Sequence, residues 1–530
     1  MGVRFQRARR ALEVARTARR NRLLRVLREV GVVGDRPATR EGAVEFRRAL
    51  EELGTTYLKL GQLLSSRPDL LPDAYIEELG KLVDEVPPFP FAELEQVVRE
   101  DLGEGALARL EPEPLAAASI AQIHEAVLAD GREVVVKVRR PGIVEQVELD
   151  LNVIRTAVGF LDKRSETAQA LQLRALTEEL EVHLRAELNL VEEASNTELI
   201  GGLVADYENL VVPQVIRPHV TERVLVLERI HGKKVEPDHG LPQKRAAELA
   251  RDFFRAYIRQ VTLEGVYHAD PHRGNVILTD DGRIALLDFG LLGRLDEETR
   301  TRLSALLLAV AQNQADDVAA VLLSLSVTTL DSDEPGFVHE LRRKLPRYHW
   351  RPLAGIPTGE ALADLQRISL RHGVRLPTSF ALVGKTLSQA DSIARTLDPE
   401  LDPVQLIERE SYELVLTEAE AQLEPARLFS NLYAQIGTLT QLPRRIGQIA
   451  DHLEAGTLKV GVVPANLEDA EHMLRSVANR VGAALIVVGL LISSALMARV
   501  NHVVSLVGFC LSAVIGLYMI WRIIRTPGEL

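Results

Sequence analysis

Residues 267–275 read YHADPHRGN, and Asp288-Phe289-Gly290 follows thirteen residues after Asn275. No other feature of the chain restricts its fold as tightly. His268, Asp270 and Asn275 fit the pattern H-x-D-x-x-x-x-N. Between that loop and Asp288, "NVIL" and "RIALLDFG" are two short apolar runs around an Asp-Asp-Gly turn, which predicts a β-hairpin. Phosphoryl transfer explains such spacing, because it asks the protein for metal-held phosphates and a positioned nucleophile rather than for covalent help. Asp270 takes the orienting role. Asn275 and Asp288 offer the hard oxygen ligands that suit Mg²⁺. Alone, Asp270 or Asn275 would read as a turn or capping residue.

The loop pattern is that of the protein kinases, which also carry G-x-G-x-x-G-x-V and a lysine on the next strand. Residues 115–138, LAAASIAQIHEAVLADGREVVVKV, stand in that place. Ala116, Ala118 and Ala121 occupy the glycine positions, Ile123 the valine position, and Lys137 is the strand lysine. Ala117 and Ser119 complete the loop, with the Ser119 hydroxyl expected at its tip. Alanine carries a Cβ that disfavours positive φ and close approach to phosphate. Nucleotide binding is expected, without protein-kinase phosphate geometry. Glu228, where the strand "VLVLE" runs into a linker, joins the expected nucleotide-binding set. Lys137 needs an acid from a nearby helix, and spacing alone leaves Glu178, Glu179, Glu181, Glu187, Glu192 and Glu193 open.

Helix formers dominate the chain, which is 46% hydrophobic and only 4% aromatic, so most of it should be helical with one small sheet region. Helices are expected at 44–64, 73–84, 143–162, 173–200 and 242–264, and from 295 to about 478 with a break at 330–358. "DEVPPFPF" at 84–91 is a breaker. Residues 1–40 hold twelve arginines and three acids in a chain of net charge −12. Such a basic arm points to an anionic surface, membrane or nucleic acid. Leu12, Ala15, Leu23, Leu24, Leu27 and Val30 at helical spacing favour a membrane or self-packing; the alternative is a surface helix packed on its own domain. Nucleic acid is disfavoured, since Phe5 is the arm's only aromatic and no reading module is visible. Cys510 is the only cysteine, which excludes a disulfide framework and a Cys/His zinc site. No secretory signal peptide is visible. Residues 481–498 and 503–521 contain no charge, and each is long enough to cross a hydrocarbon core of roughly 30 Å. Arg480, Arg522 and Arg525 place both ends of this hairpin on the cytoplasmic side, with Arg499 in the tip opposing. Gly482, Gly489, Ser493 and Ser494 leave room for helix association and a homodimer.

With "YLKLGQLLSSRPDLLP", "LAAASIAQIHEA", "HADPHRGN" and "LLDFG", the chain resembles the UbiB family of aarF-domain-containing atypical kinases over about residues 40–300, and more weakly through to the C-terminal hairpin. The resemblance implies that Lys59, Gly61 and Gln62 form a K-x-G-Q motif on a helix over the active site, with Lys59 and Gln62 in the catalytic set. It implies that Glu187 pairs with Lys137, and that Glu193 and Asn196 form an E-A-x-N pattern. The family's E-x-D motif reads Glu187-Leu188-Asn189 here, so an aspartate is replaced by a neutral amide. The implied activity is a Mg²⁺-dependent ATPase binding ATP or ADP and supporting isoprenoid-quinone (ubiquinone-type) synthesis or lipid-intermediate handling. Its implied setting is the bacterial cytoplasmic membrane, with the catalytic part cytoplasmic. Membrane lipids or quinone precursors and quinone-biosynthesis enzymes are the implied partners. Two alternatives are a protein or small-molecule kinase and a non-catalytic, nucleotide-binding membrane adaptor. Against a protein kinase stand the alanine loop and "LLGRLDEETRTRLSALLL", which turns helical soon after Gly290.

The expected fold class is α+β: a helix-rich, protein-kinase-like two-lobed fold with a helical extension before it and a transmembrane hairpin after it. The expected segments are a basic amphipathic arm (1–40), a helical extension (41–111), an N-lobe with inserted helices (112–235), a catalytic C-lobe region (236–330), a helical region (331–478) and the hairpin (479–530).

Overall fold

The run Glu133–Arg139 alternates as a half-buried strand should. Val134, Val136 and Val138 are buried on one face, while Val135 and Lys137 point to the other. In the computed structural model, which describes residues 2–29, 37–65, 67, 70–82, 86–163, 173–326, 332–346, 358–410 and 507, this strand is the centre of an antiparallel sheet. Five helices come first: α1 (Gly2–Arg20), α2 (Leu23–Glu29), α3 (Arg40–Leu53), α4 (Thr55–Ser65) and α5 (Asp73–Leu79). After the proline run come α6 (Phe91–Leu102), β1 (Leu107–Ala117), β2 (Ala121–Leu128) and β3 (Glu133–Arg139). Inserted helices follow as α7 (Ile143–Asp162), α8 (Leu173–Glu187) and α9 (Leu190–Leu203). Then come β4 (Leu210–Val211), β5 (Val215–Val220), β6 (Val224–Glu228) and β7 (Gly232–Lys234). The five-stranded sheet has the order β1-β2-β3-β6-β5. Its Val134 face packs on α6 through Leu94, Val97 and Val98. Its Val135 face packs on α9 through Leu190 and Ala194.

The second lobe is built on α10 (Gln243–Arg259), which buries Leu249, Phe253, Phe254 and Tyr257 and ends in a π-helical turn, Gln260–Glu264. Four short strands follow: β8 (Val266–His268), β9 (Val276–Thr279), β10 (Ile284–Leu286) and β11 (Leu292–Arg294). The expected hairpin is β9–β10, with Ile277 opposite Ala285. It lies in a sheet of order β4-β10-β9-β7, while β8 and β11 pair separately, a pairing the sequence does not signal. Helices α11 (Glu297–Ala311), α12 (Ala315–Leu325), α13 (Glu334–Lys344), α14 (Thr358–Arg371) and α15 (Thr378–Leu397) complete the lobe around one core that includes Phe289, Phe337 and Leu387.

The expected segments need adjustment. The helix expected at 44–64 is two, divided at Gly54, whose φ of +92° suits glycine. The helix expected at 173–200 breaks at Leu188-Asn189. The first sheet strand begins at Leu107, before the expected start of that lobe. The basic N-terminal helix α1 packs on its own unit through Arg10, whose guanidinium bonds Asp150 and Leu53 O. Phe5 and Leu12 remain exposed on its outer side. Among the described residues no helix is long and apolar enough to cross a membrane. The charge-free segments 481–498 and 503–521, and the association residues proposed on them, lie outside the described residues.

Candidate active site

Ala116 pairs with Ile123, Ile123 with Lys137, and Lys137 with Leu225. These four therefore form one cross-strand row on the sheet face turned toward α9. Lys137 Nζ lies 2.7 Å from Glu193 Oε1 and 3.3 Å from Asp288 Oδ2. Glu187, which the resemblance assigned to Lys137, instead pairs with Lys59 on α4, with Glu187 Oε2 2.8 Å from Nζ. The period-two face of β3 decides this: Lys137 shares its face with Val135, which packs beside Leu190 and Ala194 of α9, and Glu193 lies on that helix. Glu187 ends α8, on the far side of the break at Asn189. Burial favours loss of the Lys137 proton, but the charges of Asp288 and Glu193 outweigh it and raise its pKa. Burial likewise pushes the Glu193 carboxyl up to about 7, against the pull of Lys137. The Asp288 side chain keeps 44% of its surface exposed; the protein packed around it would raise its pKa, yet the Lys137 ammonium and the Gly290 N–H outweigh that and lower it.

Asp288 has a φ of +58°, a conformation rare outside glycine that collects at functional sites. Its Oδ1 accepts from Gly290 N–H at 3.2 Å. Asn196, of the E-A-x-N pattern, donates from Nδ2 to Phe289 O at 3.1 Å, so α9 holds both Lys137 and the Asp288 turn. In the loop, Asn275 Nδ2 donates to Asp270 O at 3.2 Å, which leaves its Oδ1 for a ligand. Leu287 N–H bonds Asn275 O at 2.8 Å, tying the loop to the end of β10. His268 is buried between Tyr257 and Phe289, with ring centroids 6.4 and 5.0 Å away. Burial lowers its pKa to about 4, so it is a neutral packing residue.

Asp270 is held from a distant helix. Lys385 Nζ is 2.9 Å from its Oδ1, and Gln389 Nε2 donates to the same oxygen at 3.2 Å. Thr386 Oγ1 donates to Ala269 O at 3.0 Å. Burial would raise the Asp270 pKa, but the charge and hydrogen bond of Lys385 outweigh it and lower the pKa. Neither Lys385 nor Gln389 was foreseen. Their spacing of four on α15 marks a shared helix face, and nothing local says which loop that face meets.

The alanine loop is a closed turn, Ala118 N–H donating to Ala121 O at 2.8 Å. Ser119 is not at its tip. It is 1% exposed, and its carbonyl accepts from Thr55 Oγ1 at the start of α4 at 3.2 Å. The neighbouring Ile120 draws it inward, since Ile120 belongs to the core formed with Leu58 and Ile143. Ala117 and Ala118 are half-buried, and Ala121 is buried. Gln122 and His124, unremarked in the sequence, are structural: Gln122 Oε1 accepts from Phe89 N–H at 3.0 Å, and the His124 ring bonds Gln122 and Glu111 O. Gln62 is half-buried on α4 one turn from Lys59. Glu228 lies three residues beyond Leu225 on β6, and its Oε2 accepts from Gln214 N–H at 3.1 Å, so its side chain serves the β5–β6 edge.

For a divalent metal, the chain offers the Asp288 carboxylate and the Asn275 amide oxygen. Among the described residues no group of three His, Cys, Asp or Glu is placed to hold a metal ion. That donor set fits Mg²⁺, which takes one or two protein oxygens together with substrate phosphates and water rather than a protein cage.

The model of the ABC1 atypical kinase-like domain matches residues 81–322, that of the UbiB helical domain residues 341–402, and that of the ABC1/UbiB kinase-like C-terminal domain residues 465–525. A probable protein kinase UbiB from Xanthomonas campestris pv. campestris is 30% identical over 483 residues, which cover 87% of this chain and 86% of that protein. The chloroplastic protein ACTIVITY OF BC1 COMPLEX KINASE 8 of Arabidopsis thaliana is 29% identical over 503 residues, covering 85% of this chain and 65% of that one. A Mycobacterium tuberculosis protein solved with erythromycin is 24% identical, with a TM-score of 0.48 over 69% of this chain and 93% of its own.

Proposed function

The chain belongs to the ABC1/UbiB family of atypical kinase-like proteins, and from that membership and its site we propose that it is a Mg²⁺-dependent ATPase acting at a membrane in support of isoprenoid-quinone synthesis or lipid-intermediate handling. The observation that carries the ATPase reading is the pairing of Lys137 with both Glu193 and Asp288. A lysine held charged on that sheet face is the group that takes nucleotide phosphates, and the acid beside it fixes its direction. Ala116 and Ile123, in the same row, offer an apolar surface for the base and sugar, backed by the fully buried Leu225. Asn275 and Asp288 would hold Mg²⁺, which neutralises charge on the phosphates when bound. Asp270 would orient the nucleophile. Its pKa is depressed by Lys385, so it is a weak proton acceptor and suits positioning better than deprotonation.

Water is favoured over a protein hydroxyl as the nucleophile by three features. Helix α4 carries Lys59 to the Glu187 side of the cluster, and the Lys59 charge is felt at Asp288. The alanine turn is pinned to the same helix through Thr55. Helix α11 begins at Glu297, seven residues after Gly290, which leaves little platform for a peptide. Membrane attachment is supported by the two charge-free segments, which fall within the matched C-terminal domain, and by the exposed Phe5 and Leu12 among the arginines of α1. The quinone assignment is supported by membership of the ABC1/UbiB family.

Phosphate release by the full chain in anionic liposomes with Mg²⁺-ATP tests this, beside Asp288→Asn. Turnover in the wild type that falls on the order of 100-fold in the variant is expected, the scale of losing one charge stabiliser in a water-poor site. Phosphate appearing on protein would replace the reading with a kinase. Bound nucleotide without turnover, with or without liposomes, would replace it with an adaptor.

A further inference from the structure

Helix α15 is fastened to the catalytic loop at four places. Lys385 and Gln389 bond the Asp270 carboxylate, Thr386 bonds Ala269 O, and Arg273 Nη2 donates to Thr396 Oγ1 at 3.0 Å. Such a set fixes the helix register against the loop, since a slip of one residue breaks all four. The loop brings no cation of its own within hydrogen-bond reach of the Asp270 carboxylate. Arg273, the only arginine in residues 267–275, is turned to α15. His272 sits with Nε2 4.0 Å from Asp270 Oδ2, while its Nδ1 accepts from Gly274 N–H at 2.9 Å. Lys385 fills the gap.

The pair is placed to meet a ligand. The side chains of Lys385 and Asp270 are 37% and 34% exposed, so the ammonium is not sealed in the core. An ammonium has three donors; one engages Asp270, and the others can serve phosphate oxygens. A lysine binds phosphate as a point charge without demanding one geometry. A second lysine serves the same region: Lys59 Nζ lies 2.8 Å from Glu187 Oε2, and the charges of Lys385 and Lys59 both bear on His183 of α8.

We propose that Lys385 is the catalytic-loop cation of this protein, delivered from α15, and that it both positions Asp270 and contacts the terminal phosphate of a bound nucleoside triphosphate. This rests on the nucleotide site proposed above and adds a residue to it from outside the kinase-like domain model, which ends at residue 322. Contact with only the terminal phosphate gives a signature that a structural role does not share. Lys385→Met keeps the apolar stem and removes the charge. It should weaken binding of a non-hydrolysable ATP analogue with Mg²⁺ about tenfold or more, the scale of one charge-assisted hydrogen bond, and leave ADP affinity unchanged.

The experiment uses the full chain in detergent and measures affinity for ADP and for the analogue, with kcat and KM for ATP. The set is wild type, Lys385→Met, Lys385→Arg and Gln389→Ala. The expected result is a collapse of the analogue-to-ADP affinity ratio in Lys385→Met alone, partial recovery in Lys385→Arg, and a wild-type ratio in Gln389→Ala, which loses a neutral bond to Asp270 and no charge. An unchanged ratio in Lys385→Met overturns the proposal, as does equal loss of both ligands while Lys385→Arg and Gln389→Ala behave as wild type. A wild type that binds nucleotide without turning it over overturns the ATPase reading only, because the affinity ratio still reports on Lys385. A wild type that binds neither ligand overturns both.

Discussion

Asn189 stands where the resemblance leads one to expect an aspartate, and its place explains why an amide serves. It is the N-cap of α9, with φ −108° and ψ 95°, and its side chain accepts from Val191 N–H at 3.1 Å. Asparagine and aspartate cap helices about equally well, whereas alanine cannot satisfy the free backbone donors. The helix it starts carries Glu193 and Asn196, which hold Lys137 and the Asp288 turn. Asn189→Ala should cost about 1 kcal/mol in urea unfolding, within the 0.5–2 kcal/mol span for lost caps. Asn189→Asp should stay within a few tenths of wild type and bind nucleotide normally. At this scale Asp270, Asn275, Asp288 and Lys137 were legible, because one hairpin and one strand fix their spacing. The partner of Lys137 was not. Glu187 and Glu193 are six residues apart, and only the face of β3 and the helix break at Asn189 separate them. Ser119 was misread for a similar reason, since the pull of Ile120 into a core of distant helices is not written in the loop.

Among the elements, α4 depends on a residue with no side chain. A Cβ on Gly61 would lie 2.3 Å from Leu82 Cδ1 and 2.8 Å from Leu50 Cδ1, and both leucines are buried. The glycine of the K-x-G-Q motif therefore lets α4 sit close against α3 and the turn after α5, which sets the height from which Lys59 reaches Glu187. Gly61→Ala gains about 1 kcal/mol of helix propensity and meets an overpacking cost of about 1–3 kcal/mol. The net should be a small destabilisation in urea unfolding. The larger effect should be functional, because relief requires α4 to shift and the Lys59–Glu187 pair to loosen. Turnover or nucleotide affinity should change at least severalfold while the unfolding midpoint moves little. One small sheet region was expected, whereas three sheets are present among the described residues, with β1 running into the alanine loop. Strands β2, β3 and β6, the β9–β10 hairpin and most helices were legible from periodicity and turn chemistry. The role of α15 was not, because its meeting with the loop depends on the packing of a whole lobe.

At the scale of the molecule, the basic N-terminus is part of the folded unit that spans residues 1–423. Arg10 Nε donates to Asp150 Oδ1 at 2.6 Å and Nη2 to Leu53 O at 2.7 Å. Its guanidinium also lies 6.0 Å from the centre of the Tyr57 ring. The Asp150 side chain is fully buried and takes a further bond from Thr56 Oγ1 at 2.9 Å. One carboxylate thus ties α1 and α7 to α4, the helix that carries Lys59. Burial raises the Asp150 pKa even against the bond and charge of Arg10, so the pair does not stabilise through its own attraction alone. Removing one partner is the costly change, because it strands the other charge in the core. Arg10→Met should therefore destabilise the unit by about 3–5 kcal/mol in urea unfolding. Arg10→Met with Asp150→Asn should recover much of that loss, since the neutral amide still accepts from Thr56. A freely hinged basic arm makes the opposite forecast: Arg10→Met would leave stability unchanged and lower only the affinity for anionic vesicles. Unfolding and vesicle sedimentation on the same three proteins separate the two, because the exposed arginines of α1 are intact in every one and vesicle binding should hold steady while stability falls and returns.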